Sequence, residues 1–196
     1  MNIAFFGGTF DPPHYGHFAV CTLVRELINP DKVIFSLSKN PLKNLQSSNE
    51  CHRLNMLNIL VDELNQTGPI FDISDWEIKQ SGPSYSIDTL NYIKEKYSGA
   101  KIFLCIGQDN YAIFPKWKSY KQILDLCHIV VFARPGSHSA AVESPFKPDA
   151  FTWVDLDMPL SSTECRQDIA SNQTSCFQRL PSKIASYIQE NHLYEN

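Results

Sequence analysis

The chain has 196 residues, 43% of them hydrophobic, enough for one substantial core with an appended lobe. Its formal net charge of −4 argues against nonspecific nucleic-acid binding, which wants a basic face, but leaves a phosphate ligand open to a few local Arg, Lys or His groups. No run is apolar enough to span a bilayer, and the opening MNIAFFGG lacks the basic start and apolar core of a secretion signal, so no membrane partner and a cytoplasmic location are expected.

In chain order, Ile3 to Phe6 reads as a buried strand that ends at a glycine pair. From His17 onward, Val20, Cys21, Val24, Leu27 and Ile28 recur at helical spacing. Val33 to Phe35 gives a second strand, and SKNPLKNLQSSNE a polar loop. CHRLNMLNILVDEL carries Leu54, Leu57, Val61 and Leu64 on one helical stripe, and Ile70 to Ile73 is a candidate strand. QSGPSYS is rich in turn residues, after which Ser86 or Asp88 is placed to cap a helix carrying Ile87, Leu90 and Ile93. KIFLCIG reads as a buried strand, YKQILDLC as a short helix, and HIVVFARPG as another strand with a hard stop. SHSAAVESPFKPD has no periodicity, FTWVDLDM is a late strand, and SSTECRQDIA and PSKIASYIQENHL are terminal helices, the second with Pro181 near its first turn. The six cysteines form no CxxC pair, and Cys21, Cys105, Cys127 and Cys165 sit in apolar or helical stretches, as reduced packing residues do.

Strands alternating with helices predict an α/β fold with a parallel sheet. Such a sheet binds its ligand at the carboxyl ends of strands, near the point where strand order reverses. GGTFDPPHYGH, residues 7–17, directly follows the first strand and falls there. Gly7 and Gly8 permit unusual dihedrals and close approach, Thr9 adds a hydroxyl, and the amides of Gly8, Thr9 and Phe10 are free to face an anion. Pro12 and Pro13 stiffen the loop. His14 and His17 share one face if a helix starts here, with Gly16 keeping the approach open, and the helix amino end adds free N–H groups. The bland readings are a plain turn and a capping histidine. Zinc binding by the pair is a third, though the spacing is not HExxH and no third ligand follows at a motif spacing. Neither GxGxxG nor GxxxxGK[ST] is present. A polyphosphate cradle accounts for glycines, prolines and histidines together.

This segment resembles the (T/H)xGH signature of the nucleotidyltransferase superfamily, and more closely that of the bacterial nicotinate-mononucleotide adenylyltransferases. GPSYSIDTL (82–90), IGQDNYAIFPKW (106–117), ARPG (133–136), SSTECR (161–166) and YIQENHLY (187–194) match in order, across nearly the whole chain. The resemblance implies a Rossmann-like, doubly wound parallel sheet over about residues 1–158 with a small C-terminal helical part over about 159–196. It also implies transfer of the adenylyl group of ATP to nicotinate mononucleotide, giving deamido-NAD and pyrophosphate, with Mg2+ carried by the ATP phosphates.

It also implies roles. His14, His17 and Arg166 are the expected catalytic residues, gripping the triphosphate as pyrophosphate leaves. Gly7, Gly8, Thr9 and Phe10 face it by backbone, with Lys43 and Arg134 as further contacts. Gly107 and Asp109 end the KIFLCIG strand where a carboxylate suits a ribose diol. Trp117 is expected to stack on the pyridine ring, and Ser86 to read the nicotinate carboxylate. Ser161, Ser162 and Thr163 offer hydroxyls at a helix start and a capping role. Without the resemblance, Trp117 reads as core, and Arg166 and Lys118 as surface residues.

Two departures from the family stand out. Leu42 occupies the histidine position of its PHK triplet, and Lys118 follows Trp117 where tyrosine is usual. A cation at Lys118 suits an acid over an amide, or simply points into solvent. The runner-up acceptors are nicotinamide mononucleotide and phosphopantetheine. A noncatalytic nucleotide-binding regulator is a further alternative, although such a chain is expected to break the histidine pair or SSTxxR, and both are intact. The oligomeric state is open.

Overall fold

The computed structural model describes residues 1–39, 48–133, 151–158 and 160–195. Six strands form one fully parallel sheet: β1 (Asn2–Gly8), β2 (Lys32–Leu37), β3 (Phe71–Ser74), β4 (Lys101–Gly107), β5 (His128–Ala133) and β6 (Phe151–Asp155), in the order β3-β2-β1-β4-β5-β6. The α/β expectation is met. From β1 the chain winds outward to β3, returns to β4 beside β1, and winds outward again to β6. The reversal therefore lies between β1 and β4, whose carboxyl ends are Gly8 and Gly107.

Successive strand residues face opposite layers, the two-residue period of a sheet buried on both sides. Ile3 and Phe5, Ile102, Leu104 and Ile106, and Ile129 and Val131 point to one layer, where Ile87, Leu90 and Ile93 of α4 (Ser86–Lys96) and Ile123 of α6 (Tyr120–Leu126) meet them. Ala4, Val33, Phe35, Cys105, Val130 and Phe132 point to the other. That layer holds Val20 and Val24 of α1 (Tyr15–Ile28) and Leu57, Leu60 and Leu64 of α2 (Glu50–Asn65). It also takes Cys165 and Ile169 of α7 (Ser162–Ala170) and Ile184 and Ile188 of α8 (Ser182–Glu190), so the C-terminal helices share the apolar cluster of α1 and α2. Five of the six thiols are buried and only Cys51 is exposed.

Several local expectations are corrected. The four-residue α3 (Trp76–Lys79) and six-residue α5 (Gln108–Ile113) are too short to show a hydrophobic period. Neither Ser86 nor Asp88 caps α4: Ser86 is its first residue, Tyr85 stands at the cap without a side-chain bond, and Asp88 pairs with Lys118 instead. Ser161 is the cap residue of α7 by backbone only, Ser162 Oγ donates to the Pro12 carbonyl at 2.9 Å, and Thr163 Oγ1 accepts from Arg166. The Ser162 hydroxyl thus ties helix to loop and that of Thr163 holds Arg166 of the same helix, rather than capping it.

Candidate active site

The segment after β1 turns on Phe10, which holds φ 47°, and its ring is buried. A left-handed phenylalanine is sterically costly and persists only where packing demands it. Here the ring lies 5.7 Å from Phe6, 5.6 Å from Phe35 and 5.2 Å from His17, between centroids. A Cβ on Gly8 would meet this ring at 3.0 Å. So Gly8 makes room for Phe10, no left-handed glycine is used in the motif, and Phe10 lends the site its backbone while its side chain is core.

The two histidines build the start of α1. His14 is the N-cap residue, and its Nδ1 accepts from the Gly16 amide at 3.1 Å. His17, in the first turn, returns the favour: its Nδ1 accepts from the His14 amide at 3.1 Å. This is a capping box made from two imidazoles, whose ring centroids are 3.9 Å apart. The shared face is realised, by reciprocal capping rather than by helical stacking. A Cβ on Gly16 would stand 2.9 Å from His14 Cε1 and Nδ1, so Gly16 clears space for the His14 ring as well as bordering the cavity described below. Each Nδ1 that accepts an N–H leaves the proton on Nε2, so both rings are neutral Nε2–H donors. Burial pushes the His14 pKa down to about 4. His17 is held well below its usual value by burial and then by its neighbour His14. The first turn of α1 contains no acidic residue, so its amino end keeps its positive dipole for an anion.

Beneath this loop lie polar residues that sequence reasoning left without roles. Asp11 is 1% exposed, and its Oδ1 accepts from Ser48 Oγ and, at 2.8 Å, from Tyr194 Oη. Arg53, fully buried, donates from Nη1 to the carbonyls of Thr9 (3.2 Å) and Ser38 (3.1 Å), joining the ends of β1 and β2. Arg166 Nη1 donates to the Asp11 carbonyl at 2.7 Å, and Nη2 to Thr163 Oγ1 at 3.3 Å. The guanidinium is thereby pinned at the start of α7, against the motif.

Across the reversal point, Gly107 opens onto space: a Cβ there would meet nothing within 4 Å. Asp109 stands exposed in the first turn of α5. Trp117 follows a 3-10 turn, Phe114–Lys116, with its ring 5.4 Å from Phe114. Lys118 Nζ sits 3.4 Å from Asp88 Oδ2 and 4.4 Å from the Tyr85 ring centre. Glu77, 5% exposed, anchors the Ser84–Ser86 stretch: its carboxylate accepts from Ser84 Oγ at 2.7 Å and from Ser36 Oγ and Thr89 Oγ1 at 2.8 Å each.

Both groups line one cavity of about 990 Å³. Gly7, Gly8, Thr9, Phe10, His14, His17, Ser161, Ser162, Thr163 and Arg166 border it on one side, and Ser86, Gly107, Asp109, Trp117 and Lys118 on the other. Lys43 and Arg134, with Leu42, lie outside the described residues. Asp11, Glu77, Ser38 and Ser84 border the cavity without having been foreseen. A buried charge inside a polar loop carries no periodic signal, and only the Asp11 position within TFDPP hinted at use. Among the described residues no group of three or more His, Cys, Asp or Glu side chains is placed to hold a metal. Nor, among them, is any helix long and apolar enough to cross a membrane.

A family model described as cytidylyltransferase-like matches residues 5–168. The chain is 50% identical over its full length to a probable nicotinate-nucleotide adenylyltransferase of Chloroherpeton thalassium, covering 98% of that protein. It is 44% identical to one of Prosthecochloris aestuarii, over 99% of this chain and 98% of that protein. Its fold matches the Plasmodium falciparum nicotinic acid mononucleotide adenylyltransferase complexed with NaAD, at TM-score 0.82 and 18% identity, over 98% of this chain and 97% of that one. With its motif, its sheet order and its full-length relatives in agreement, the chain belongs to the cytidylyltransferase-like family and, within it, to the nicotinate-nucleotide adenylyltransferases.

Proposed function

We propose that this chain transfers the adenylyl group of ATP to nicotinate mononucleotide, releasing pyrophosphate and forming deamido-NAD. The observation that carries this reading is one cavity with two unlike walls: anion donors around the first loop, and an aromatic and cationic wall beyond Gly107. The names of the full-length relatives support the same reaction.

A phosphate oxygen of the acceptor nucleotide forms the new bond to the α-phosphorus of ATP, while the bond from that phosphorus to the bridging β-oxygen breaks. The attacking phosphate is already ionised, so no protein base is needed, and catalysis is positioning plus charge stabilisation. His14 and His17 donate Nε2–H bonds to the triphosphate at the amino end of α1. Arg166, held by the Asp11 carbonyl, offers its remaining N–H groups to the β- and γ-phosphates. Phosphate close to the two rings favours their protonated form, so binding ATP draws protons toward them. Trp117 supplies a flat face for the pyridine ring, Lys118 and the amide of Ser86 face its carboxylate, and Asp109 faces ribose hydroxyls.

The phosphate-facing wall presents N–H donors and hydroxyls, while Asp11 Oδ1 takes Ser48 and Tyr194 and its Oδ2 pairs with Arg166 at 4.0 Å. Such a wall suits a magnesium ion carried on the phosphate oxygens and water rather than caged by side chains. Bound there, a magnesium ion would neutralise phosphate charge, leaving the N–H donors of His14, His17 and Arg166 to hold the phosphate oxygens. The relatives' metabolic role supports action in the cytoplasm. Pyrophosphate release measured with nicotinate mononucleotide, nicotinamide mononucleotide and phosphopantetheine tests the reading. Turnover is expected with the first and weak or absent with the others. Equal rates with acid and amide would remove the acceptor assignment, and no release with any of the three would remove the activity.

A further inference from the structure

The end of the chain reaches the phosphate-facing wall. Beyond α8 the backbone turns through a left-handed His192 (φ 50°) and a left-handed Tyr194 (φ 67°). These turns bring Tyr194 Oη to 2.8 Å from Asp11 Oδ1 and 3.5 Å from Ser48 Oγ. Two left-handed non-glycine residues within three positions are costly, and such backbone is kept where the surroundings dictate it. Burial and the Asp11 carboxylate both push the Tyr194 pKa up, so the phenol stays a donor. Asp11 is the residue whose main-chain carbonyl takes Arg166 Nη1, and three residues on lies His14, the cap of α1. Asp11 Oδ1 is thus held by the tail and Ser48, while its carbonyl takes Arg166 Nη1 and its Oδ2 lies 4.0 Å from the same nitrogen.

We propose that Tyr194 is a positioning residue for the ATP phosphates, acting through Asp11 on Arg166 and on the loop that carries His14. It touches no substrate in this assignment. Its hydroxyl fixes the Asp11 side chain, and with it the rotation of the Asp11 peptide plane whose carbonyl orients the guanidinium. The proposal rests on the adenylyl-transfer reading for the identity of the ligand, and it predicts an effect confined to one substrate. The same tail supplies its own control. Tyr187, on α8, takes a hydrogen bond from Asn55 Nδ2 at 2.9 Å and makes one with His52 Nδ1 at 2.8 Å, docking the tail on α2.

The test compares Tyr194→Phe, Tyr187→Phe and Ser48→Ala with the unmodified chain. Calorimetric titration with magnesium-ATP, without acceptor, reads ATP affinity even if the acceptor assignment is wrong. Initial rates then give KM for each substrate. Losing one hydrogen bond to a buried carboxylate is expected to weaken ATP binding about three- to tenfold in Tyr194→Phe. Ser48→Ala, which removes the other hydroxyl donor to the same oxygen, is expected to do the same. KM for the acceptor stays within twofold in both, and Tyr187→Phe keeps ATP affinity within twofold while its thermal midpoint falls. The proposal is overturned if Tyr194→Phe binds ATP within twofold of the unmodified chain, if both substrates' KM values rise together, or if Tyr187→Phe reproduces the ATP effect. If Tyr194→Phe does not fold, Ser48→Ala decides alone by the same criteria.

Discussion

The two walls of the cavity are built on different principles. On the wall of His14, His17 and Arg166, the loop is backed by buried Asp11, whose carbonyl takes Arg166 and whose carboxylate takes the half-buried tail tyrosine, and by buried Arg53, which holds the Thr9 and Ser38 carbonyls. Its histidines are uncharged and its donors are fixed before any substrate arrives. On the wall of Trp117 and Lys118, the charged pair Lys118–Asp88 is 50% and 39% exposed, so its energy is screened and its geometry loosely held. Preorganised donors in a dry site are worth far more to a transition state than mobile charges in water. The comparison teaches where to look: on the proposed reaction, the rate is expected to depend on the preorganised wall and acceptor preference on the open one.

The largest expected effect tests the first half of that statement. His17→Ala removes an Nε2–H donor and half of the imidazole capping box. It is expected to lower kcat by roughly 10²–10³, the cost of one preorganised donor. A loss below about fivefold, in a variant whose circular dichroism matches the unmodified chain, would leave the buried wall without its catalytic meaning.

Glu77 sharpens the contrast, because the open wall also has one buried support. Its carboxylate gathers Ser36 and Thr89, both fully buried, and Ser84. Glu77→Ala strands those hydroxyls and is expected to cost about 2–4 kcal/mol of stability by urea denaturation. Glu77→Gln keeps a carbonyl oxygen for two of the donors and should cost less than half as much. In the glutamine variant KM for the acceptor should rise while KM for ATP holds. The reverse pattern would assign Glu77 to the other wall.

A pH titration examines the uncharged state of the histidines. An unfolded histidine takes up a proton near pH 6.5, whereas folded His14 resists until about pH 4. Between those values the unfolded chain binds more protons, so stability is intact above pH 6.5 and falls as pH drops toward 4. By pH 5 His14 alone should remove about 2 kcal/mol. His14→Asn keeps a side-chain oxygen for the cap and loses the titration. Chemical denaturation from pH 7 to 5 should therefore show a shallower decline in that variant. Parallel declines would mean that His14 titrates in the folded chain as it does in the unfolded one.

The parts of this architecture that repeat were legible in the sequence, and the parts that depend on distant pairing were not. Strand residues such as Ile102, Leu104 and Ile106 announce themselves as an apolar run, and α1, α2 and α4 by helical spacing, because burial imposes a period on neighbouring residues. The site's contiguous pieces, GGTFDPPHYGH and SSTECR, were readable for the same reason: each places its chemistry within one turn of chain. The supports were hidden. Tyr194 lies 183 positions from the carboxylate it holds, and Glu77 sits on a helix of four residues. The readable glycines turned out to have a second neighbour: Gly8 and Gly16 border the cavity, and each also makes room for a ring, Phe10 and His14.

The smallest effect bears on the second half of the comparison. Lys118 lies between the Asp88 carboxylate and the Tyr85 ring, which together already compensate much of its charge. Its net pull on a nicotinate carboxylate is therefore modest, in keeping with the fraction of a kcal/mol typical of exposed pairs. Lys118→Met keeps an unbranched apolar side chain and removes the charge. It should reduce the ratio of kcat/KM for nicotinate mononucleotide over its amide by about two- to fivefold, with kcat itself nearly unchanged. Because the interaction is exposed, the unmodified chain should lose part of the same preference as ionic strength is raised, and Lys118→Met should not. A preference that is the same in both chains at every salt concentration would move acid recognition away from Lys118, to the fixed amides at the start of α4.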